Sequence, residues 1–187
     1  MTKREPPGGR LSVDDWIEAG YAILADDGLP AVKIDRLCAR LGVTKGSFYW
    51  HFADIAGYRA ALIEAWAEQR GAELAVHREV VDLAPRERLS RLMAAVVSPQ
   101  HWRLERAMRE WARTDESVAA GVGAADRRVL RTVRQAFVDL GFDPDEADLR
   151  ARTTFAAGIG FLQLTGSKPD PLGDRQRERF LEFMVRP

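Results

Sequence analysis

A chain of 187 residues with 46% hydrophobic content can bury one substantial core, or a small head beside a larger body, and is too apolar for disorder to dominate. Its 28 basic and 28 acidic side chains cancel, so any attraction to nucleic acid must come from local charge placement and not from the field of the whole molecule. The longest nearly uninterrupted apolar run, 155–164, falls short of a membrane span of roughly 20 residues, no signal-peptide pattern opens the chain, and one cysteine with three scattered histidines offers neither an intramolecular disulfide nor a metal-ligand spacing. The expectation is a soluble, cytoplasmic protein with no metal and no cofactor.

Residues 1–10 hold Pro6, Pro7, Gly8 and Gly9 beside Lys3, Arg4 and Arg10, a composition that reads as a flexible basic arm. Order starts at Ser12, which with Asp15 three residues on makes a capping box. Val13, Trp16, Ile17, Gly20, Tyr21 and Leu24 then recur at helical spacing until Gly28 and Pro30 end the helix. A short second helix carries Ile34, Leu37, Cys38 and Leu41 on one face and stops at Gly42. Thr44 is expected to cap a third, in which Phe48 and Phe52 form the inward pair. Asp54 caps a fourth, with Ile55, Tyr58, Leu62 and Trp66 on its buried stripe.

Helical periodicity continues to the end of the chain. Pro85 opens a helix bearing Leu89, Leu92, Met93, Val96 and Val97, and Pro99 closes it. Leu104, Met108 and Trp111 belong to the next. A longer helix from about 115 to 140 carries Val118, Val122, Val129, Val133 and Phe137 and stops at Gly141. Asp143, Pro144 and Glu146 start another, running to about 165, and a last one fills 173–185. No strand alternation persists, so the fold class expected is all-α with about nine helices. Three parts are expected: the arm (1–10), a head (11–57) and a helical body (58–187).

The informative stretch is 34–52, where a short apolar helix, a glycine turn and a second short helix follow one another, the grammar of a helix-turn-helix. In such a unit the outward side chains of the second helix meet base edges in the major groove. Here they are Lys45, suited to guanine or phosphate, Ser47, which can donate or accept, and Gly46, which lets backbone approach closely. Tyr49, Trp50 and His51 put three amphipathic rings on a helix whose packing needs none of them. Between 33 and 51, Lys33, Arg36, Arg40 and Lys45 stand against Asp35 alone, a local basic footprint on an otherwise neutral chain.

The run from Leu41 to Phe52, Leu-Gly-Val-Thr-Lys-Gly-Ser-Phe-Tyr-Trp-His-Phe, resembles the recognition segment of the TetR family of bacterial regulators, and the likeness extends over about residues 12–66. It implies a three-helix DNA-binding head, a fourth helix linking head to body, two C-terminal helices building a homodimer, and a repressor released by a small molecule bound in the body. Carried over residue by residue, it puts Lys45, Gly46 and Ser47 at bases, Thr44, Tyr49 and His51 on phosphate, and Trp50 on either. Three positions depart from the family pattern. Lys33 replaces a capping Thr or Ser. Asp35 stands where a basic or neutral residue is common and can accept from a cytosine amine. Ile55 replaces the phosphate-holding lysine that opens the fourth helix, which makes weaker or differently balanced DNA affinity an expectation.

Behind the head, Trp66, Met93, His101, Trp102, Met108, Trp111 and Phe155 are candidates to line an effector cavity, although such stripes more often simply pack. The small residues Ala151, Ala156, Ala157, Gly158 and Gly160, beside Phe155, Ile159, Phe161 and Leu162, point to a dimer face, so the homodimer is expected through residues 145–165 and 173–185. An enzyme would need a nucleophile or base with an orienting partner. No such pairing is evident in the sequence, and the partners expected are double-stranded operator DNA, a second copy of the chain and a small-molecule effector.

Overall fold

The computed structural model describes residues 11–79, 83–96, 102–164 and 173–186. They form nine α-helices and, among the described residues, no strand: α1 (Val13–Asp27), α2 (Ile34–Leu41), α3 (Lys45–His51), α4 (Ile55–Glu79), α5 (Pro85–Val96), α6 (Trp102–Ala112), α7 (Glu116–Asp139), α8 (Pro144–Leu164) and α9 (Asp174–Met184). The all-α expectation holds. One element was not foreseen, a single 3-10 turn at Leu29–Ala31, made possible because Pro30 fixes its own backbone angle and needs no donor. Two compact units divide inside α4, the first ending at Leu62 and the second beginning at Ile63.

Local chemistry sets most helix boundaries. At α1 the Ser12 hydroxyl accepts from the Asp15 amide at 3.2 Å while the Asp15 carboxylate accepts from the Ser12 amide at 2.7 Å, the reciprocal box the spacing predicts; hydrogen bonds donated to the carboxylate by the Ser12 hydroxyl, and then by the Ser12 amide, hold the Asp15 carboxyl below its ordinary range. Asp54 Oδ1 accepts from the Gly57 amide at 2.7 Å, Asp115 Oδ1 from Ser117 and Val118, and Asp143 Oδ1 from Asp145 and Glu146. Gly42 ends α2 at φ 70°, ψ 30°, a left-handed conformation that costs glycine nothing. One expectation fails: Thr44 occupies the N-cap position of α3 but its hydroxyl makes no capping bond. Val13, in the first turn of α1, is nearly half exposed, since it precedes the packed part of the helix.

In the first unit, Trp16, Phe48, Phe52 and Tyr58 form a ring cluster, with Trp16 edge-on to Phe48 at 5.5 Å and Phe52 edge-on to Tyr58 at 4.9 Å. Edge-to-face rings add to burial through their quadrupoles. The Tyr58 hydroxyl donates to the Trp16 carbonyl at 2.7 Å and the Tyr21 hydroxyl to the Leu62 carbonyl at 3.0 Å, so α1 and α4 are bolted together from both sides. Burial pushes the Tyr58 phenol pKa up. Gly20 lies in the seam, where any side chain would run into Tyr58 and Leu62.

The second unit packs Leu89 and Leu92 of α5, Val129, Val133, Ala136 and Phe137 of α7, Ala147 and Ala151 of α8, and Leu181 and Met184 of α9 into one core. Beside it runs a buried ionic network. Arg109 donates to both oxygens of Asp126, at 3.0 and 2.7 Å, and twice to Glu105 Oε1, at 2.9 and 2.6 Å; Glu105 Oε2 stands 3.6 Å from Arg70 Nε. Helix α8 corrects one grouping. The small residues taken together as a dimer face fall on two stripes: Ala151 and Gly158 join Ala147, Thr154 and Leu162 inside the protomer, whereas Ala156 is exposed and Gly160 has open space at its Cβ.

Candidate nucleic-acid interface

Helix α3 has only seven residues, too few to be stable by itself, and its position depends on Phe48 and Phe52, both buried among Trp16 and Tyr58. With that face anchored, the opposite face is forced outward. Tyr49 is 56% and Trp50 69% exposed, and large apolar rings turned to solvent mark a contact surface. Lys45, Gly46 and Thr44 are exposed as well, and Ser47 is half-buried with its amide donating to the Thr44 carbonyl. His51 is different. It lies half-buried with its ring 6.2 Å from that of Trp16, packed toward the core side of the helix.

Lys33, Asp35, Lys45 and Tyr49 converge with Val32, Ile34, Ile55 and Arg59 on one cleft of about 310 Å³. The wall is contributed by α2, α3 and the start of α4. Arg59 is the residue that sequence reasoning missed. Its Nη2 donates to the Val32 carbonyl at 3.3 Å, while its Nε is buried with no hydrogen-bond partner among the described residues. The signal was present: Arg59 follows Ile55 by four residues, so both stand on one face of α4. The cation absent at the helix start is thus one turn further on.

Charge pairing trims the basic footprint. Arg36 is held by Asp27 and Lys45 by Asp35, each at 2.5 Å; hydrogen bonding to Asp35, then its charge, push the Lys45 pKa up. Lys33 and Arg40 have no ion-pair partner among the described residues. The Thr44 hydroxyl, not used as a cap, is also free to meet an external acceptor.

Gly46 offers a clean separation of folding from binding. A Cβ there would meet only Thr44 Oγ1, at 3.6 Å, which is ordinary contact, so the protein's own packing does not require glycine. Gly46→Ala is expected to raise head stability by about 0.5–1 kcal/mol through helix propensity while lowering affinity for DNA, where the methyl group would stand between backbone and ligand. Thermal melting and a band-shift titration of the same preparation read the two effects. Unchanged DNA affinity would show that no close approach occurs at 46.

Of the candidate effector side chains, Trp66 is carried by α4, Trp102, Met108 and Trp111 by α6, and Phe155 by α8. Trp66, Trp102, Met108 and Trp111 are buried and Phe155 is half-buried, with the Arg109 guanidinium 5.9 Å from its ring centre. His101 and the Met93 side chain lie outside the described residues.

A short helix anchored by two phenylalanines, turned out from a three-helix head and flanked by cations, defines a helix-turn-helix unit of the kind that transcriptional regulators carry. Residues 17–62 match the family described as "Bacterial regulatory proteins, tetR family". Transcriptional regulator AcuR of Cereibacter sphaeroides is 36% identical over 63 residues, a stretch covering 34% of this chain and 29% of that protein. Among solved structures, a transcriptional regulator of Rhodococcus sp. Rha1 superposes with a TM-score of 0.70 at 22% identity, covering 94% of each chain. A regulator from Saccharomonospora viridis in complex with choline gives 0.71 at 19% identity, covering 92% of this chain and 94% of that one. A TetR-family regulator from Mesorhizobium loti gives 0.71 at 18%, over 92% of both. At such identities these structures establish the fold.

Proposed function

We propose that this protein is a cytoplasmic, ligand-responsive transcriptional repressor that binds a palindromic operator as a homodimer and is released by a small molecule. The observation that carries the reading is the outward face of α3, where Lys45, Tyr49 and Trp50 are exposed beside a cleft that also holds Lys33 and Arg59. Bases are met by Lys45, Gly46 and Ser47. Thr44, Tyr49, Lys33 and Arg59 grip phosphate, with Trp50 beside them, and His51 acts by steadying α3 from its core side. The domains follow the same division of labour: an arm (1–10), a DNA-binding head (11–57) and an effector-binding, dimerising body (58–187).

Dimerisation is supported by the apolar surface of the last two helices. Leu149, Leu164 and Phe183 are exposed, and Ala156 and Gly160 lie between the two leucines at helical spacing, small enough to admit another helix. Exposed apolar groups of this size are costly in a monomer, and a second copy of the same face covers them with two-fold symmetry. An inverted-repeat operator follows from that symmetry. The effector is expected among Trp66, Met93, His101, Trp102, Met108, Trp111 and Phe155, and the choline bound by the Saccharomonospora relative makes small organic cations a reasonable first set to titrate.

Band shifts with DNA from upstream of the gene, repeated across a salt series, test the reading. Arg59→Gln is expected to weaken operator and random DNA alike and to lower the log K against log salt slope by about 1 per head, the signature of one lost phosphate contact. Binding by Arg59→Gln that matches the parent at every salt concentration would remove Arg59 from the interface. Absence of any shift with the parent chain would remove the function.

A further inference from the structure

We infer that Asp35 is a specificity-determining residue of the interface, which pairs with Lys45 so that the two side chains together read a guanine–cytosine base pair. The inference rests on the DNA-binding reading above. Asp35 is the second residue of α2 and Lys45 the first of α3, and their side chains meet at 2.5 Å although both remain largely exposed. Buried charge balance does not call for this contact. It persists on an open surface, in the cleft that Lys33, Tyr49 and Arg59 share.

Two physical arguments favour a role on DNA. A lysine at the first position of a helix stands beside the positive end of the helix dipole, and α3 has no acid in its first turn and no side-chain cap; Asp35 supplies the missing negative charge from α2. More important is what an unrestrained lysine would do. An ammonium on a flexible four-carbon stem binds any phosphate it reaches, which adds affinity without discrimination. A carboxylate beside it repels phosphate, so the pair disfavours backbone and favours a surface that offers an acceptor and a donor side by side. In the major groove guanine presents O6 and N7 as acceptors, and its cytosine partner presents the N4 amine as donor. Lys45 donates to guanine, and Asp35 accepts from cytosine while orienting the ammonium. An A·T pair offers a donor and acceptors in a different order, and a phosphate offers no donor at all.

The experiment compares the full-length parent, Asp35→Asn, Asp35→Glu, Lys45→Met and the Asp35→Asn/Lys45→Met double variant on upstream DNA and on random DNA of equal length, over a salt series. Asp35→Asn is expected to bind random DNA more tightly, with a salt slope steeper by about 1 per head. Its ratio of operator to random affinity should fall about tenfold or more, the scale of one base-pair contact. The double variant should lose no more discrimination than either single variant, and Asp35→Glu should restore part of it. Substituting each G·C pair of the operator half-site by A·T should reveal one position to which the parent responds and Asp35→Asn does not. Melting temperatures of all variants separate these effects from misfolding. A parent that prefers its upstream DNA, with Asp35→Asn shifting both DNAs equally or neither, would overturn the inference alone. A parent with no preference would overturn it together with the function.

Discussion

Replacing Arg109 with methionine is expected to destabilise the body by roughly 3–5 kcal/mol, the cost of breaking a buried pair by removing one partner. The guanidinium is only 15% exposed and makes two bonds to Asp126 and two to Glu105. Glu105 is 5% exposed as a residue and, among the described residues, would keep Arg70 at 3.6 Å. Asp126 is 23% exposed and water would take over part of its solvation, which puts the expected value at the lower end of the range. For a chain of this length about 3 kcal/mol corresponds to a fall of roughly 10 °C in melting temperature. Thermal unfolding followed by far-UV circular dichroism is the measurement. A melting temperature within a degree or two of the parent would mean that water already solvates the network. The companion variant Arg109→Met/Glu105→Leu/Asp126→Leu removes the two carboxylates that Arg109 leaves behind, although it also takes Glu105 away from Arg70, and should recover part of the loss, because apolar replacement of an ionic cluster is often close to neutral.

Gly20→Ala should be almost as damaging to the head, at about 2–4 kcal/mol, combining an overpacking penalty with one lost hydrogen bond. An added Cβ would stand 1.9 Å from Tyr58 Oη, 3.0 Å from Tyr58 Cζ and 2.9 Å from Leu62 Cδ2. Neither neighbour has room to retreat, since both are fully buried. The Tyr58 hydroxyl is also the group that donates to the Trp16 carbonyl, so the collision removes that bond as well. A double-variant cycle tests the cause. Tyr58→Phe alone should cost about 1 kcal/mol, yet in the Gly20→Ala background it should be stabilising, since it removes the closest contact and leaves the two near 3 Å. Recovery should be partial. Strict additivity of the two substitutions, measured by chemical denaturation, would show that Tyr58 does not meet the new methyl group.

Arg59 shows how a cleft can keep a cation although the residue expected to supply it is replaced. Ile55 stands where the family resemblance leads one to expect a lysine, and it does line the cleft, but Arg59 reaches the same cleft from one turn along the same helix face. A register-based comparison records a missing cation. The three-dimensional arrangement holds one anyway, because residues i and i+4 of a helix serve one patch of surface.

The features that the sequence alone determined are those whose physical cause lies within four residues. The Ser12–Asp15 box and the Asp54 and Asp143 start signals satisfy amide donors of the very next turn, and Gly28, Gly42 and Gly141 take positive φ at chain reversals, so composition and spacing sufficed to read them. The inward pair Phe48 and Phe52 was legible for the same reason, since a four-residue spacing fixes a common helix face. Tertiary structure decided the rest, and in each case through a partner distant in sequence. Tyr58 meets Trp16 across 42 residues and makes Gly20 obligatory. Arg109 finds Asp126 on the next helix. Lys45 is held by Asp35 from the preceding one, which a count of charges along the chain records only as a small reduction in basicity. The division of α8 into an inner stripe with Ala151 and Gly158 and an outer one with Ala156 and Gly160 is of the same kind: small residues lie on both sides of the helix, periodicity assigns each to a side, and only the helices packed against it determine which side is buried.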